Sequence, residues 1–324
     1  MKRSITPTAA GAAVLALLAA GCGSSDADGA QEQGEVRTVT DATGSEVEVP
    51  ETPERIVTLH YAATQPVLDL GFTPVGQGQF EEGIIPEDQA AEVEEIPVVA
   101  DGVEPRLEEI AELEPDLVLA PNVLEEEVHE QLAAVAPVYT FTLRGDDREH
   151  WPQRTEEVAD ALGVPEQPEE LAAELETRQE EIAEEYADEI EGRTVTVLSS
   201  YEENSVYVWG ENNMTGSLLL PLGFTWSEQA NAAVEDEDEA EATLSGESLA
   251  SAADDADLVF YDTNLRAEPN AFMEDLQGTA LYQDLPAVQD GHAYPAGKST
   301  VAGYTDAHYT LDLVEEALED LREG

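Results

Sequence analysis

From about residue 55 the chain alternates between short apolar runs and longer stretches in which apolar residues recur at helical spacing. Runs of strand length fall at 55–59, 74–77, 117–120 and 138–142, and a second series falls at 194–199, 206–209, 258–261 and 292–294. Between and after them, Leu124, Val128, Leu132 and Val135 keep helical spacing, as do Tyr304, Leu311, Val314, Leu318 and Leu321. Strands that alternate with helices predict βαβ units and largely parallel sheets covered on both faces. One segment stands apart. Over residues 166–191, Leu171, Leu175, Ile182, Tyr186 and Ile190 form a narrow apolar stripe, and most other positions are charged. Pro165 or Pro168 can open this helix and Gly192 can end it. At 1.5 Å per residue, about 24 residues reach about 36 Å. The fold class expected is therefore α/β: two Rossmann-like lobes, 36–164 and 193–324, joined by one long helix at 165–192, with a cleft between them.

The halves echo each other. Leu107-Glu108-Glu109-Ile110 leads through Glu114-Pro115-Asp116 into Leu117-Val118-Leu119-Ala120. Leu244-Ser245-Gly246-Glu247-Ser248-Leu249 leads through Asp254-Asp255-Ala256-Asp257 into Leu258-Val259-Phe260-Tyr261. Each half thus sets a glutamate in the first turn of a helix that feeds a strand. The helix dipole favours an acid there by roughly 0.3–1 kcal/mol, and Ser245 is placed as an N-cap.

The N-terminus carries a different pattern. Lys2 and Arg3 precede an unbroken apolar run at 9–20, followed by Ala19-Ala20-Gly21-Cys22. A charged start, a short apolar core and small residues before a cut site make a secretory signal peptide, 1–21. The run is too short to span a bilayer, which takes about 20 apolar residues. Cys22 is the only cysteine in the 324 residues, so it has no partner for an internal disulfide. The segment resembles the lipobox of bacterial lipoproteins, in which this cysteine is lipidated and becomes the first residue. Ala19 stands where that motif usually has leucine, and ordinary secretion with cleavage near Ala20 is the alternative. Residues 22–35 are small, polar and acidic and read as a disordered tether. The location expected is the extracytoplasmic face of a cell membrane, on the periplasmic side or the cell exterior.

Charge narrows the partners. The chain has 73 acidic and 13 basic residues and a net charge of −60. Such a surface repels nucleic acid and anionic headgroups. Beyond the signal peptide Lys298 is the single lysine. At 1 M salt the Debye length is about 3 Å and most self-repulsion is screened, so the composition reads as a halophilic, solvated surface. The acids at 235–241 form a continuous run and lack the spaced, converging oxygens of a metal site. There is no Gly-x-Ser-x-Gly elbow, no HExxH and no phosphate-cradling glycine loop, so no enzyme is expected.

Several stretches, in order, resemble the iron-siderophore and cobalamin class of substrate-binding proteins of ABC importers. They are Val39-Thr40-Asp41-Ala42-Thr43-Gly44, Pro53-Glu54-Arg55-Ile56-Val57, Leu70-Gly71-Phe72-Thr73-Pro74-Val75-Gly76, the Leu107 and Glu114 segments above, and Leu285-Pro286-Ala287-Val288-Gln289-Asp290-Gly291-His292-Ala293-Tyr294. The resemblance spans nearly all of the chain after the tether, with 54–324 as the binding domain. It implies two rigid lobes that close little, a monomer, and no cofactor beyond the cargo, an Fe(III)–siderophore complex passed to a permease with its ATPase. It also implies that one glutamate per lobe docks on the permease. By motif position these are Glu108 and Glu247.

In open α/β sheets ligands sit beyond the carboxyl ends of the strands. Loops there carry His60, Tyr61, Gln77, Gln79, Phe80, Asn122, Arg144, Tyr201, Tyr207, Trp209, Asn212, Asn213, Tyr261, Asn264, Arg266, Lys298 and Tyr304, in a chain only 6% aromatic. A large, partly apolar chelate suits this lining. Arg144, Arg266 and Lys298 would suit an anionic siderophore. The negative field of the whole chain favours a nearly neutral hydroxamate complex, and hydroxamate is the reading adopted from the sequence. Cobalamin or haem is the alternative cargo. Direct zinc or manganese capture starting from His60 is the other, although His129, His150, His292 and His308 do not form a ligand-spaced set.

Overall fold

The computed structural model describes residues 35–79, 81, 83–145, 150–235, 237 and 240–324. The signal peptide, Cys22 and nearly all of the tether lie outside the described residues, as does Phe80.

A hairpin of β1 (Val36–Thr40) and β2 (Glu46–Pro50) opens the N-terminal lobe. Its turn is held by the Asp41 carboxylate, which accepts the backbone N–H groups of Thr43 and Ser45 at 2.9 and 3.0 Å. Then follow β3 (Ile56–Thr58), α1 (Tyr61–Asp69), α2 (Glu87–Val93), β4 (Ala100–Asp101), β5 (Glu104–Pro105), α3 (Leu107–Glu112), β6 (Leu117–Pro121), α4 (Glu126–Ala133), β7 (Val138–Phe141) and α5 (Gln153–Leu162). Strands β3, β6 and β7 are parallel, with Val57 opposite Val118 and Val118 opposite Val138. The strand expected at 74–77 is reduced to bridges of Gly76 to Val57 and Gln77 to Val98. Alternate strand residues serve opposite faces. Ile56, Leu117, Leu119, Tyr139 and Phe141 join α1 and α5 in one core, while Val57, Val118, Ala120 and Val138 join Ile110 and Leu132 in another. Continuous apolar strands are what a sheet covered on both faces requires.

The long helix is α6 (Gln167–Glu185), followed by the single turn α7 (Ala187–Ile190). Pro168 sits in its first turn, and Gly192, at φ +75°, ends the segment. The long helix expected at 165–192 is present, with its last turn set off at one residue. Tyr186 leaves helical geometry (φ −111°, ψ 25°). Its ring is buried, with the Arg322 guanidinium 4.3 Å from the ring centre. The apolar stripe is no free-standing spine: Leu175, Ile182, Tyr186 and Ile190 are buried in the core of the C-terminal lobe, and Leu171 touches the cores of both lobes. Each such side chain withdrawn from water contributes about 1.5–3 kcal/mol.

The C-terminal lobe comprises β8 (Thr194–Ser199), β9 (Ser205–Trp209), α8 (Gly216–Leu219), β10 (Thr225–Trp226), α9 (Glu228–Ala233), β11 (Glu241–Ser245), α10 (Ala250–Ala253), β12 (Leu258–Tyr261), α11 (Ala271–Gln277), α12 (Ala280–Gln283), α13 (Pro286–Gln289), β13 (Ala293–Pro295) and α14 (Tyr304–Glu323). Its sheet runs β11-β9-β8-β12-β13, and β10 adds to β8. Strands β8, β10, β12 and β13 are parallel, but β9 turns back on β8 as a hairpin and β11 pairs with it antiparallel, so this sheet is mixed. The acids before residue 241 hid β11, because its edge position leaves alternate residues in water. Ser245 does not cap a helix through its side chain; it ends β11, and a 3-10 turn at Gly246–Ser248 follows.

Side chains tie the lobes directly. Asp69, at the end of α1, accepts the Tyr304 backbone N–H and the Thr305 hydroxyl, each at 2.6 Å, at the start of α14. Gly303 makes this approach possible, because a Cβ there would collide with the Asp69 carboxylate. Trp151, from the N-terminal half, is buried in the C-terminal core and donates Nε1–H to Ser217 Oγ at 3.0 Å. Arg154 donates to the Val301 carbonyl at 3.0 Å, and Leu265 N–H to the Gly83 carbonyl at 2.8 Å. Among the described residues no helix is long and apolar enough to cross a membrane.

Candidate functional site

The carboxyl ends of β3, β7, β8, β12 and β13 bring one cluster together. His60 N-caps α1: its backbone is extended (φ −156°, ψ 146°), and its Nδ1 accepts the Ala62 N–H at 3.1 Å. An N-cap needs such an acceptor to satisfy an open amide of the first turn. The imidazole lies 4.4 Å from the Tyr61 ring, centre to centre. The Tyr61 hydroxyl meets Thr300 Oγ1 at 3.3 Å, across the lobes, and Lys298 Nζ stands 4.8 Å from the centre of the Tyr61 ring. Lys298 is itself held by the buried Asp306 at 2.7 Å, and Asp306 also takes the Ala302 N–H at 2.9 Å.

Burial, followed by the charges of Arg154, Lys298 and Arg144, lowers the His60 pKa to about 4. The ring is therefore neutral at physiological pH. Since Nδ1 is the acceptor for Ala62, the ring proton belongs on Nε2. Arg154 is buried and donates to the carbonyls of Thr142 and Leu143 as well as Val301. Arg144 follows β7 and is exposed. Its backbone turn is braced by the Asn122 amide, which accepts from the N–H groups of Leu143 and Arg144 and donates to the Arg144 carbonyl.

From the other lobe, the Tyr201 ring is 39% exposed and stacks edge-on against Tyr207 at 5.1 Å. Its hydroxyl is turned inward, and burial together with the Asp262 charge pushes its pKa well above the ordinary value. Asp262 is buried; burial raises its pKa, against the pull of the Ser299 N–H, which it accepts at 2.7 Å. Ser299 continues to Ser199 at 2.9 Å and Ser199 to the Trp209 N–H at 2.8 Å. This network forms a rigid polar floor between the aromatic edge and the core. Tyr207 donates to Glu202 at 3.2 Å.

Not every expected residue reaches this cluster. Trp209 is buried, with its N–H spent on Ser199, so it belongs to the core. Asn213 is fully buried and turns its Oδ1 to the Met214 N–H. Tyr304 is buried at the start of α14, its ring 5.1 Å from Trp151. These three are corrected from lining residues to packing residues. Tyr261 packs towards Gln277 of α11 and Tyr282 of α12. Arg266 lines a separate open groove of about 870 Å³ with Pro86, Leu265, Tyr309 and Asp312. Gln79 is exposed and bonds to Glu81. Glu108 and Glu247 are exposed, on α3 and the 3-10 turn at Gly246–Ser248. The neighbouring Glu109 is paired with Arg106 at 3.3 Å.

Sequence reasoning passed over Arg154, Asp262, Asp306 and Thr300. Asp262 and Thr300 follow strands β12 and β13, where position alone could have flagged them. Arg154 lies inside an amphipathic helix and carries no such signal. Two further grooves, of about 520 and 370 Å³, run along α6 and beside Trp151. The first is bordered by helix-surface residues such as Glu174, Glu181 and Glu185, and the second by Trp151, Glu176, Gln179 and Tyr304. Among the described residues no three His, Cys, Asp or Glu side chains are disposed to hold a metal ion.

Comparison with known proteins agrees with this geometry. The chain is 28% identical over 312 residues to the probable siderophore-binding lipoprotein YfiY of Bacillus subtilis, covering 94% of each. It is 25% identical over 287 residues to the Fe(3+)-citrate-binding protein YfmC of the same organism, covering 88% of this chain and 86% of that one. The siderophore periplasmic binding protein from the fuscachelin gene cluster of Thermobifida fusca superposes with a TM-score of 0.70 at 29% identity, over 84% of this chain and 98% of that one. A family model for periplasmic binding proteins matches residues 56–300, well over half of the sequence. The chain belongs to the periplasmic binding protein family, the substrate-binding proteins of ABC importers, which bind and carry rather than catalyse.

Proposed function

We propose that this protein is a lipid-anchored receptor that captures a ferric siderophore outside the cell membrane and hands it to an ABC permease. The observation that carries the reading is the cluster of Tyr61, His60, Tyr201 and Tyr207 with Lys298 beyond the carboxyl ends of the strands, tied across the lobes by the bond from Tyr61 to Thr300. Aromatic faces suit the apolar body of a chelate, and fixed polar groups suit its oxygens. The names of YfiY and the Thermobifida protein, siderophore binders, support the cargo, and the word lipoprotein in YfiY supports an anchor at Cys22.

Docking through Glu108 and Glu247 belongs to the same reading. Strand β11 ends at Ser245, opposite Ser205, on the edge where β8 also ends, so Glu247 stands at the cleft-side edge. Arg106 N–H bonds the Val99 carbonyl and Val99 N–H bonds the Gln77 carbonyl, which brings the start of α3 to the same edge of the other lobe. Both acids are exposed there to cationic groups on a permease. The test is uptake of radiolabelled ferric siderophore by cells that depend on this receptor. Glu108→Ala with Glu247→Ala is expected to keep ligand affinity and abolish uptake. Normal uptake by the double variant would refute the docking assignment, and normal uptake by cells lacking the receptor would refute the function.

A further inference from the structure

Asp262 is a carboxylate buried beneath the cleft, and it collects hydrogen-bond donors from two loops. It accepts the Ser299 N–H at 2.7 Å, and the hydroxyls of Ser299 and Tyr201 also turn to it. Ser299 lies in the loop after β13, between Lys298 and Thr300, which stand against the ring and the hydroxyl of Tyr61 in the other lobe. Tyr201 lies in the turn between β8 and β9 and carries the ring that stacks on Tyr207. The place of Asp262 itself is set by the sheet, since its N–H bonds the Leu198 carbonyl at 2.9 Å. Behind it, Trp209 Nε1–H can only donate, so Ser199 Oγ accepts it at 2.8 Å, and Ser199 meets Ser299 Oγ at 2.9 Å. The hydroxyl protons of this chain lead towards Asp262, which when ionised can only accept. A carboxylate is an expensive choice there, because burial disfavours its charged form and raises its pKa against the bonds from Ser299 and Tyr201 and the charge of Lys298. An asparagine would accept the Ser299 N–H equally well. It would not serve all three donors, because one end of an amide only donates. The acceptor-only group is what the Tyr201 hydroxyl requires.

We infer that Asp262 is the positioning residue of the C-terminal wall of the cleft: from below the surface it fixes the Tyr201 ring and the loop of Lys298, Ser299 and Thr300 in one register, so that the receptor meets its cargo with a preformed wall. The inference rests on the ferric-siderophore reading above and deepens it by assigning what holds the contact residues in place. Tyr201 faces the cargo, and Asp262 acts through it. Ordering a loose aromatic side chain and a loose loop at the moment of binding subtracts from affinity, and a wall ordered in advance avoids that loss. Hydrogen bonds to an ionised acceptor are roughly twice as strong as neutral ones, so the carboxylate holds the two loops more firmly than an amide of the same shape.

The test is a double-mutant cycle on the purified full chain, read by binding and by NMR. Tryptophan-fluorescence titrations in 1 M NaCl with Fe(III)–citrate, an Fe(III) tris-catecholate and ferrichrome find the chelate that the wild type binds most tightly. Asp262→Asn keeps the size of the side chain and the acceptor for Ser299, and is expected to weaken that chelate about tenfold. Tyr201→Phe keeps the ring and removes its bond to Asp262, and is expected to weaken it about threefold. The double variant is expected to bind no more weakly than Asp262→Asn alone, because the second change removes a bond already lost. In the unliganded wild type the Tyr201 phenol is expected to stay protonated well beyond pH 10, since burial and the Asp262 charge oppose its ionisation, and to ionise at lower pH in Asp262→Asn. Wild-type affinity in Asp262→Asn, losses that simply multiply in the double variant, or a wild-type Tyr201 that ionises near pH 10 would overturn the inference while the receptor reading stands. Should Asp262→Asn not fold, the wild-type titration and Tyr201→Phe decide, and unchanged affinity in Tyr201→Phe would overturn the inference. Failure of every ferric chelate to bind the wild type would overturn the receptor reading and the inference with it.

Discussion

His60 shows how much one side chain can be asked to do. It caps a helix, contacts Tyr61 and lies in the field of Arg144, Arg154 and Lys298. With its folded pKa lowered to about 4 from an ordinary 6.5, the unfolded chain takes up a proton at higher pH than the folded one. Stability from this residue is therefore present above pH 6.5 and is lost as pH falls from about 6.5 towards 4. The expected outcome is a His60 ring whose NMR titration has its midpoint near pH 4, and a His60→Asn variant whose stability falls less steeply across that window. A midpoint near 6.5 would refute this environment. The tryptophans make a second residue-scale case. Trp151, Trp209 and Trp226 are all buried, at 2, 1 and 3% exposure, and the N–H groups bond Ser217, Ser199 and the Trp209 carbonyl. Emission is expected to be blue-shifted and resistant to iodide, with ligand quenching acting through energy transfer or the Ser199–Asp262 network. Ready quenching by iodide would return Trp209 to the cleft surface. The sequence placed Trp209 correctly at a strand end and missed which face it takes. Facing depends on register, and no single strand carries that information.

At the scale of elements, parallel strands and long helices were legible because they bury continuous or regularly spaced apolar residues. Strands β3, β6, β7, β8 and β12 and helix α14 stand close to their expected positions. What was not legible is held by partners distant in sequence. Helix α6 loses its regularity at Tyr186 where Arg322, from the far end of the chain, covers the ring. The start of α14 is capped by Asp69 of the other lobe, more than two hundred positions away. Removing such an acceptor costs roughly 0.5–2 kcal/mol, with more lost if the Tyr304 N–H is left buried and unpaired. Asp69→Ala is therefore expected to lower unfolding stability by about 2 kcal/mol in a denaturant titration, with Asp69→Asn milder. A change below about 0.5 kcal/mol would show that the cap and tie are not contributing.

For the whole molecule, two features dominate: lobes fixed to each other by Asp69, Trp151, Arg154 and Tyr61, and a surface carrying 73 acids. The ties favour binding with little closure. The acids make the fold depend on screening, so the thermal midpoint is expected to rise as NaCl is raised from 0.1 M to 1 M. A flat or falling midpoint would argue against a protein suited to brine. The broad architecture and the strand-end location of the site could be read from the chain. Which strand-end residues face the cleft could not, because Trp209 and Asn213 turn into the core through partners that no single strand reveals. The central claim is that the cleft carries a ferric siderophore. It is tested most directly by purifying the receptor from iron-starved cells of its own organism and taking a native mass spectrum. The account predicts an added mass that matches one Fe(III) chelate per chain, with the iron isotope pattern. Retained cobalamin, haem or a bare zinc or manganese ion in its place would contradict it.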